Sequence, residues 1–160
     1  NKFVKDYGGN GDIMIAGQSA GAWMSLMLCL NKEYLASEGI DSEEIKGWFI
    51  DSAQPTSHFN VLMQEKGVHK RTQRIDEFAP LYYLNENSKF SKMMLVLYDN
   101  DIVCRYEQNK LFYKAVLAFN PEAKIEYRLV NGKHCSAMAQ RSENGGSLYN
   151  EIFLSWAKKE

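Results

Sequence analysis

The sequence is short of most features that would point away from an ordinary globular domain. It carries three prolines and three cysteines in 160 residues. Cys29, Cys104 and Cys135 are odd in number, and their spacings fit no zinc-ligand pattern. Three unpaired thiols lean toward a reducing, cytoplasmic compartment. The three histidines, His58, His69 and His134, are too scattered for a metal cluster, so neither metal nor cofactor is expected. Charge of one sign is also missing. Nineteen basic and 20 acidic residues leave a net charge of −1, which gives no reason to expect nucleic acid or anionic membrane as a partner. The longest apolar stretch, around Ala22–Leu30, is too short to span a bilayer. An initiator methionine is absent too. The chain opens at Asn1 as if cut from something longer, so the lack of a visible secretory signal carries little weight.

What is present reads as alternating strands and helices. "DIMIA" (Asp12–Ala16) is a short apolar run between glycines, expected as a buried strand. "AGAWMSLMLCL" (Ala20–Leu30) is apolar on nearly every face and predicts a buried helix, with Trp23, Met24 and Met27 as core residues. "GWFID" (Gly47–Asp51) and "MMLVLYD" (Met93–Asp99) predict two more strands, the latter covered on both faces. Arg105–Phe119 has helical spacing. "KIEYRLV" (Lys124–Val130) alternates as a half-exposed strand near an edge, with Ile125, Tyr127 and Leu129 against Glu126 and Arg128. Leu148, Ile152 and Trp156 mark one stripe of a last helix. This order predicts an α/β fold: four parallel strands in spatial order 1-2-3-4, with helices on both faces and right-handed crossovers. Residues 1–160 form one domain. Pro55–Leu84, mixed in character and without a long period, is expected as a cap-like excursion of the kind that covers a site.

Chemistry concentrates at "GQSAG" (residues 17–21). A serine hydroxyl is a poor nucleophile at neutral pH. It needs a base in hydrogen-bond reach, an acid to orient that base, and exposure. A sharp strand-to-helix turn gives the exposure, and glycines two before and two after the serine relieve the crowding. Here Gly17 and Gly21 flank Ser19, with a predicted strand before and a predicted helix after, the context required of a G-x-S-x-G nucleophile elbow. The helix N-terminus favours negative charge where an oxyanion would form. Two aspartates, Asp99 and Asp101, lie in the loop after the third strand, at the carboxyl edge where open parallel sheets bind ligands. His134 follows the fourth strand, past an expected turn at Asn131-Gly132.

With these residues in place the sequence resembles the catalytic half of an α/β-hydrolase, of the esterase and lipase group near carboxylesterases and feruloyl-esterase-like proteins. The stretches that carry the likeness are "YGGNGDIMIAGQSAGAWMSLML", "DEFAPLYYL", "MMLVLYDNDIVCRYEQNKLFYKAV" and "NGKHCSA". In that family the acid loop often reads H-G-x-x-D-x-x-V-P-x-x-Q. Matching its Asp and Gln, seven residues apart, to Asp101 and Gln108, with Val103 one place off the family's Val, favours Asp101 over Asp99. The chain departs from the pattern at Tyr98-Asp99 and at Cys104-Arg105. The family's first strands, and the loop that completes its oxyanion hole, have no counterpart before the elbow here. The resemblance therefore implies the C-terminal half of the fold, with a missing N-terminal half as its partner.

The resemblance implies Ser19 as nucleophile, His134 as base, Asp101 as its orienting acid and the Ala20 N–H as one oxyanion donor. The expected function is hydrolysis of a small-molecule carboxylic ester through an acyl-enzyme. An amide-type hydrolase (an arylformamidase or a peptidase) on the same fold, and a non-catalytic binding protein, stay open beside it. His58 and Phe59 are candidates for a substrate pocket, and His69 is expected on the surface.

Overall fold

The computed structural model describes residues 5–159. Its centre is one sheet of β1 (Met14–Gln18), β2 (Gly47–Asp51), β3 (Met93–Asn100) and β4 (Ile125–Lys133). The spatial order is β1-β2-β3-β4, and every pairing is parallel. Six helices connect and cover the strands: α1 (Ala20–Leu30), α2 (Lys32–Ala36), α3 (Phe59–Gln64), α4 (Pro80–Tyr83), α5 (Arg105–Phe119) and α6 (Leu148–Ala157). Parallel neighbours need crossovers, and α1 and α5 supply the first and last of them.

Two cores lie on the two faces of the sheet. On one, Leu26 of α1 and Phe112 and Val116 of α5 pack against Trp48, Ile50, Leu95 and Leu97. On the other, Ile152 and Trp156 of α6 pack against Phe49, Met94 and Val96, with Phe49 edge-on to Tyr149 and Phe153. The alternation of side chains along β2 divides it between the two cores, so all five of its residues are buried.

The structure differs from the sequence expectation in four places. β1 begins two residues later than Asp12, and it is half-buried rather than buried, with Ala16 exposed. It pairs with β2 alone among the described residues, which leaves its outer edge uncovered. Met24 of α1 is 56 % exposed instead of lying in the core with Met27, because it points away from the sheet. Tyr127 and Leu129 are exposed, since β4 is the other edge and of its residues only Ile125 and Val130 are buried in the cores.

The fourth difference is at Asn131-Gly132, which does not turn the chain. The ladder passes from Tyr98↔Val130 to Asn100↔Lys133, so one residue of β3 opposes two of β4. This is a bulge, and it lets the strand run on to Lys133. Gly132 N donates to Asp99 Oδ1 at 2.8 Å and pins the bulge. A Cβ on Gly132 would meet only the side-chain ends of Ser136 and Gln140, which can turn aside, but its φ of 154° is one that a residue with a side chain rarely adopts.

Residues 55–84 contain two short helices, α3 and α4, and no strand among the described residues. Their base is firmly packed, with Pro55 through His58 buried. Ser57 N donates to Arg74 O at 2.8 Å, and Trp23 Nε1 of α1 to Phe78 O at 2.9 Å.

Candidate active site

All four strands end at one edge, and the polar groups of interest follow them. Ser19 sits between β1 and α1 with φ 55° and ψ −114°, outside the ordinary basins of a non-glycine residue. Its N–H donates to Asp51 O at 2.9 Å, and its carbonyl accepts from Trp23 N at 3.0 Å, so strand and helix hold the turn from both sides. Gly17 is required sterically. A Cβ there would lie 2.3 Å from the Gly21 carbonyl oxygen. Gly21 is different, since a Cβ on it would meet nothing within 4 Å among the described residues, so crowding does not explain the second glycine.

His134, one residue past β4, lies between Ser19 and Asp101. Its Nε2 is 2.8 Å from Ser19 Oγ, and its Nδ1 is 2.5 Å from Asp101 Oδ1. Asp101, one residue past β3, is the aspartate that faces it; Asp99 is engaged at the bulge. The Asp101 side chain is 2 % exposed and that of His134 23 %. Burial works to raise the Asp101 pKa, but hydrogen bonds from His134, Ser52 and the Ile102 N–H outweigh it and hold the carboxyl below its ordinary value. Ala20 is the first residue of α1, so its N–H has no partner within the helix.

Two residues at the end of β2, Asp51 and Ser52, join the site without having been expected from the sequence. Ser52, with φ 57° and no exposure, donates its hydroxyl to Asp101 Oδ2 and lies 2.9 Å from His134 Nδ1. Asp51, also fully buried, accepts from Gln18 Nε2 at 2.9 Å, and the same amide lies 3.4 Å from the Cys135 carbonyl. Gln18 thus ties the serine turn to β2 and to the loop of His134. Burial pushes the Asp51 pKa up to about 6. A signal was present in the sequence, because Asp51-Ser52 ends a strand just as the other site residues do, and ligands bind at the carboxyl ends of parallel strands.

The two pocket candidates part company. His58 is buried, stacked on Phe59 at 4.6 Å and tilted against Trp23 at 5.1 Å, and its Nδ1 caps α3 by accepting from Asn60 N. It is a packing residue. Phe59 lines a cleft beside the acid loop. His69 is exposed. Cys135 is a poor rival nucleophile: burial, helped by the Asp51 and Asp101 carboxylates, pushes its thiol up to about 12. Among the described residues no group of three or more His, Cys, Asp or Glu could hold a metal ion, and no helix is long and apolar enough to cross a membrane.

This architecture is the α/β-hydrolase fold. The chain superposes on an acylaminoacyl peptidase of Pyrococcus horikoshii at a TM-score of 0.65 and 14 % identity, covering 99 % of this chain and 27 % of that one. An esterase of the fungus Rhizomucor miehei matches at 0.63 and 12 % identity, over 98 % of this chain and 53 % of that one. A thermophilic esterase of the planctomycete Thermogutta terrifontis, with propionate bound, matches at 0.60 and 17 % identity, over 89 % and 52 %. The chain therefore spans about a quarter to a half of the length of these structures. Neither a protein-family model nor a curated protein sequence matches it.

Proposed function

We propose that the protein is a serine hydrolase that cleaves a carboxylic ester through an acyl-enzyme. The observation that carries this reading is the hydrogen-bonded line from Ser19 Oγ through the His134 ring to Asp101, mounted on a strained turn after a parallel strand. His134 Nε2 takes the Ser19 proton as the oxygen attacks the ester carbonyl. Asp101, held ionised by its donors, orients the ring and stabilises its positive form. Ala20 N–H donates to the oxyanion at the N-terminus of α1. The alkoxide leaves with the proton from His134. Water, activated by the same nitrogen, then releases the acid and restores Ser19. No step calls for a cofactor.

Two of the structural relatives named above are esterases and one is an acylaminoacyl peptidase, and the same geometry would serve an amide. A fluorophosphonate probe tests the nucleophile, with covalent labelling at Ser19 as the expected result. Absence of labelling in a folded full chain would leave a non-catalytic binding protein. Matched p-nitrophenyl esters and p-nitroanilides of one acyl group test the bond, with the ester expected to turn over faster. Turnover of the anilide alone would move the reading to an amide hydrolase.

A further inference from the structure

Beside the acid loop lies a cleft of about 320 Å³, within the size range of small-ligand sites, roughly 300–1,000 Å³. One wall is the segment just after Asp101, with Val103 and Arg105; the other comes from the excursion, with Phe59, Lys70 and Arg71. It reaches the site through Arg105, which donates to the Ser52 carbonyl while the Ser52 hydroxyl donates to Asp101. Its acid-loop wall begins at the residue after Asp101, and Phe59 stacks on His58, which touches Trp23 one turn of α1 beyond Ser19.

The charge in this cleft is one-sided. Three cations line it and no carboxylate does, in a chain whose net charge is −1. None of the three makes a salt bridge among the described residues. Arg105 is 4 % exposed, and its two hydrogen bonds go to uncharged acceptors, the Ser52 carbonyl at 2.9 Å and Gln54 Oε1 at 3.1 Å. The carboxylate that acts on it is Asp101, whose oxygens accept from His134, Ser52 and Ile102. A guanidinium has five donors, so Arg105 keeps unused capacity. Unmet polar capacity at the base of a cleft suits a polar ligand rather than an alkyl chain. Arg105 is also where the sequence departs from the family's acid-loop pattern.

We infer that this cleft binds an anionic group of the substrate, so that the preferred ester carries a carboxylate on its acyl or its alcohol part. The inference rests on the proposed chemistry at Ser19 and adds the substrate class. Arg105 supplies fixed donors at the base, and Lys70 and Arg71 supply mobile charge at the excursion wall. Phe59 and Val103 cover the apolar link between the anion and the ester.

The test uses the full chain and two matched pairs. Mono-p-nitrophenyl glutarate against p-nitrophenyl valerate places the anion on the acyl side. The pair m-carboxyphenyl butyrate and phenyl butyrate places it on the alcohol side. One pair is expected to favour its anionic member in kcat/KM by roughly tenfold or more, the size of a charge-assisted hydrogen bond. That preference should shrink with added salt and fall several-fold in the Lys70→Gln/Arg71→Gln double variant, the remainder being held by Arg105. Equal kcat/KM within both pairs, with Ser19 still labelled by a fluorophosphonate, overturns the cleft assignment. If no ester turns over and Ser19 is not labelled, the functional reading fails instead. Calorimetric titration with glutarate then decides the cleft separately: millimolar binding that the double variant weakens supports it, and no binding removes it.

Discussion

The carboxyl edge of the sheet and the two cores beneath it are built on different terms. Four non-glycine residues have positive φ among those described: Ser19, Ser52, Cys104 and Cys135. All four stand at the carboxyl edge: Ser19 and Ser52 in the site, Cys135 beside His134, and Cys104 three residues past Asp101 at the start of α5. The cores hold none. Trp48, Phe49, Leu95 and Phe112 are there, fully buried in ordinary strand and helix conformations. Strain of roughly 1–3 kcal/mol per residue survives only where surroundings over-determine it. The cores provide that surplus, and the edge spends it on geometry. The comparison therefore predicts that substitutions in the two regions separate activity from stability.

The largest effect belongs to the edge. Ser19→Ala should lower ester turnover by about 10³-fold or more, because groups that act as a unit fail together. Its urea midpoint should stay near that of the parent, since Ser19 is half-buried and stands outside both cores. Near-normal turnover by a folded Ser19→Ala protein would end the proposed chemistry. The reverse case is Phe112→Ala in the first core. It should cost about 3–5 kcal/mol in urea denaturation. Activity per fluorophosphonate-titrated site should be retained wherever the protein is still folded. A loss of turnover per labelled site as large as that of Ser19→Ala would erase the distinction between the regions.

Asp51 joins the two regions, and its charge gives the next effect. Its folded pKa is raised from 3.8 to about 6, chiefly by burial, and the Gln18 hydrogen bond only partly offsets this. Between those values the folded protein holds a proton that the unfolded chain has released. Stability from this group is therefore full below about pH 4 and falls as pH rises toward 6. Above that the ionised carboxylate costs about 3 kcal/mol, because each tenfold change in proton affinity between the folded and unfolded chain is worth ~1.4 kcal/mol. Asp51→Asn removes the charge while its amide oxygen can still accept from Gln18. The variant should be more stable than the parent by up to about 3 kcal/mol at pH 8, with the gain vanishing near pH 4. Asp101 works with the opposite sign: its lowered pKa contributes stability above the unfolded value that is lost as pH falls through the folded one. The difference between variant and parent isolates Asp51 from it. A gain that grows toward acid pH would contradict the assignment.

The same division decides what the sequence disclosed. The strand order, the limits of α1 and α5 and the stripe of α6 follow from burial, and burial writes itself as runs and periods of apolar residues. Ser19 and His134 could be singled out as candidates because each follows an expected strand and belongs to a residue type with few roles there. The bulge at Asn131-Gly132 was not, because its bonds, Gly132 N to Asp99 and Asn100 to Lys133 across the ladder, join residues far apart in sequence. An Asn-Gly pair reads as a turn until the register of the neighbouring strand is known. Ser52 was hidden for a related reason. Its role depends on a positive φ and on a carboxylate from another loop, neither of which leaves a pattern. Met24 shows the converse error, since an apolar residue on an almost wholly apolar helix gives no sign of which face is open.

The smallest effect tests the strain itself. Cys104 has φ 67° and ψ −2°, is exposed, and precedes α5 without a side-chain cap bond. A Cβ in this region costs about 1–2 kcal/mol, and glycine escapes that cost while losing roughly 0.5–1 kcal/mol more conformational entropy on folding. Cys104→Gly should therefore match or exceed the parent by up to about 1 kcal/mol in urea denaturation. Cys104→Val, β-branched, should fall below it by a similar amount. Leu111 provides the control, because it is on the same helix, 52 % exposed and in ordinary helical conformation. There the order must reverse, with Leu111→Val more stable than Leu111→Gly by a few tenths of a kcal/mol, as helix propensity dictates. If glycine ranks below valine at both positions, the positive φ at Cys104 stores no strain, and the contrast between edge and core would rest on Ser19, Ser52 and Cys135 alone.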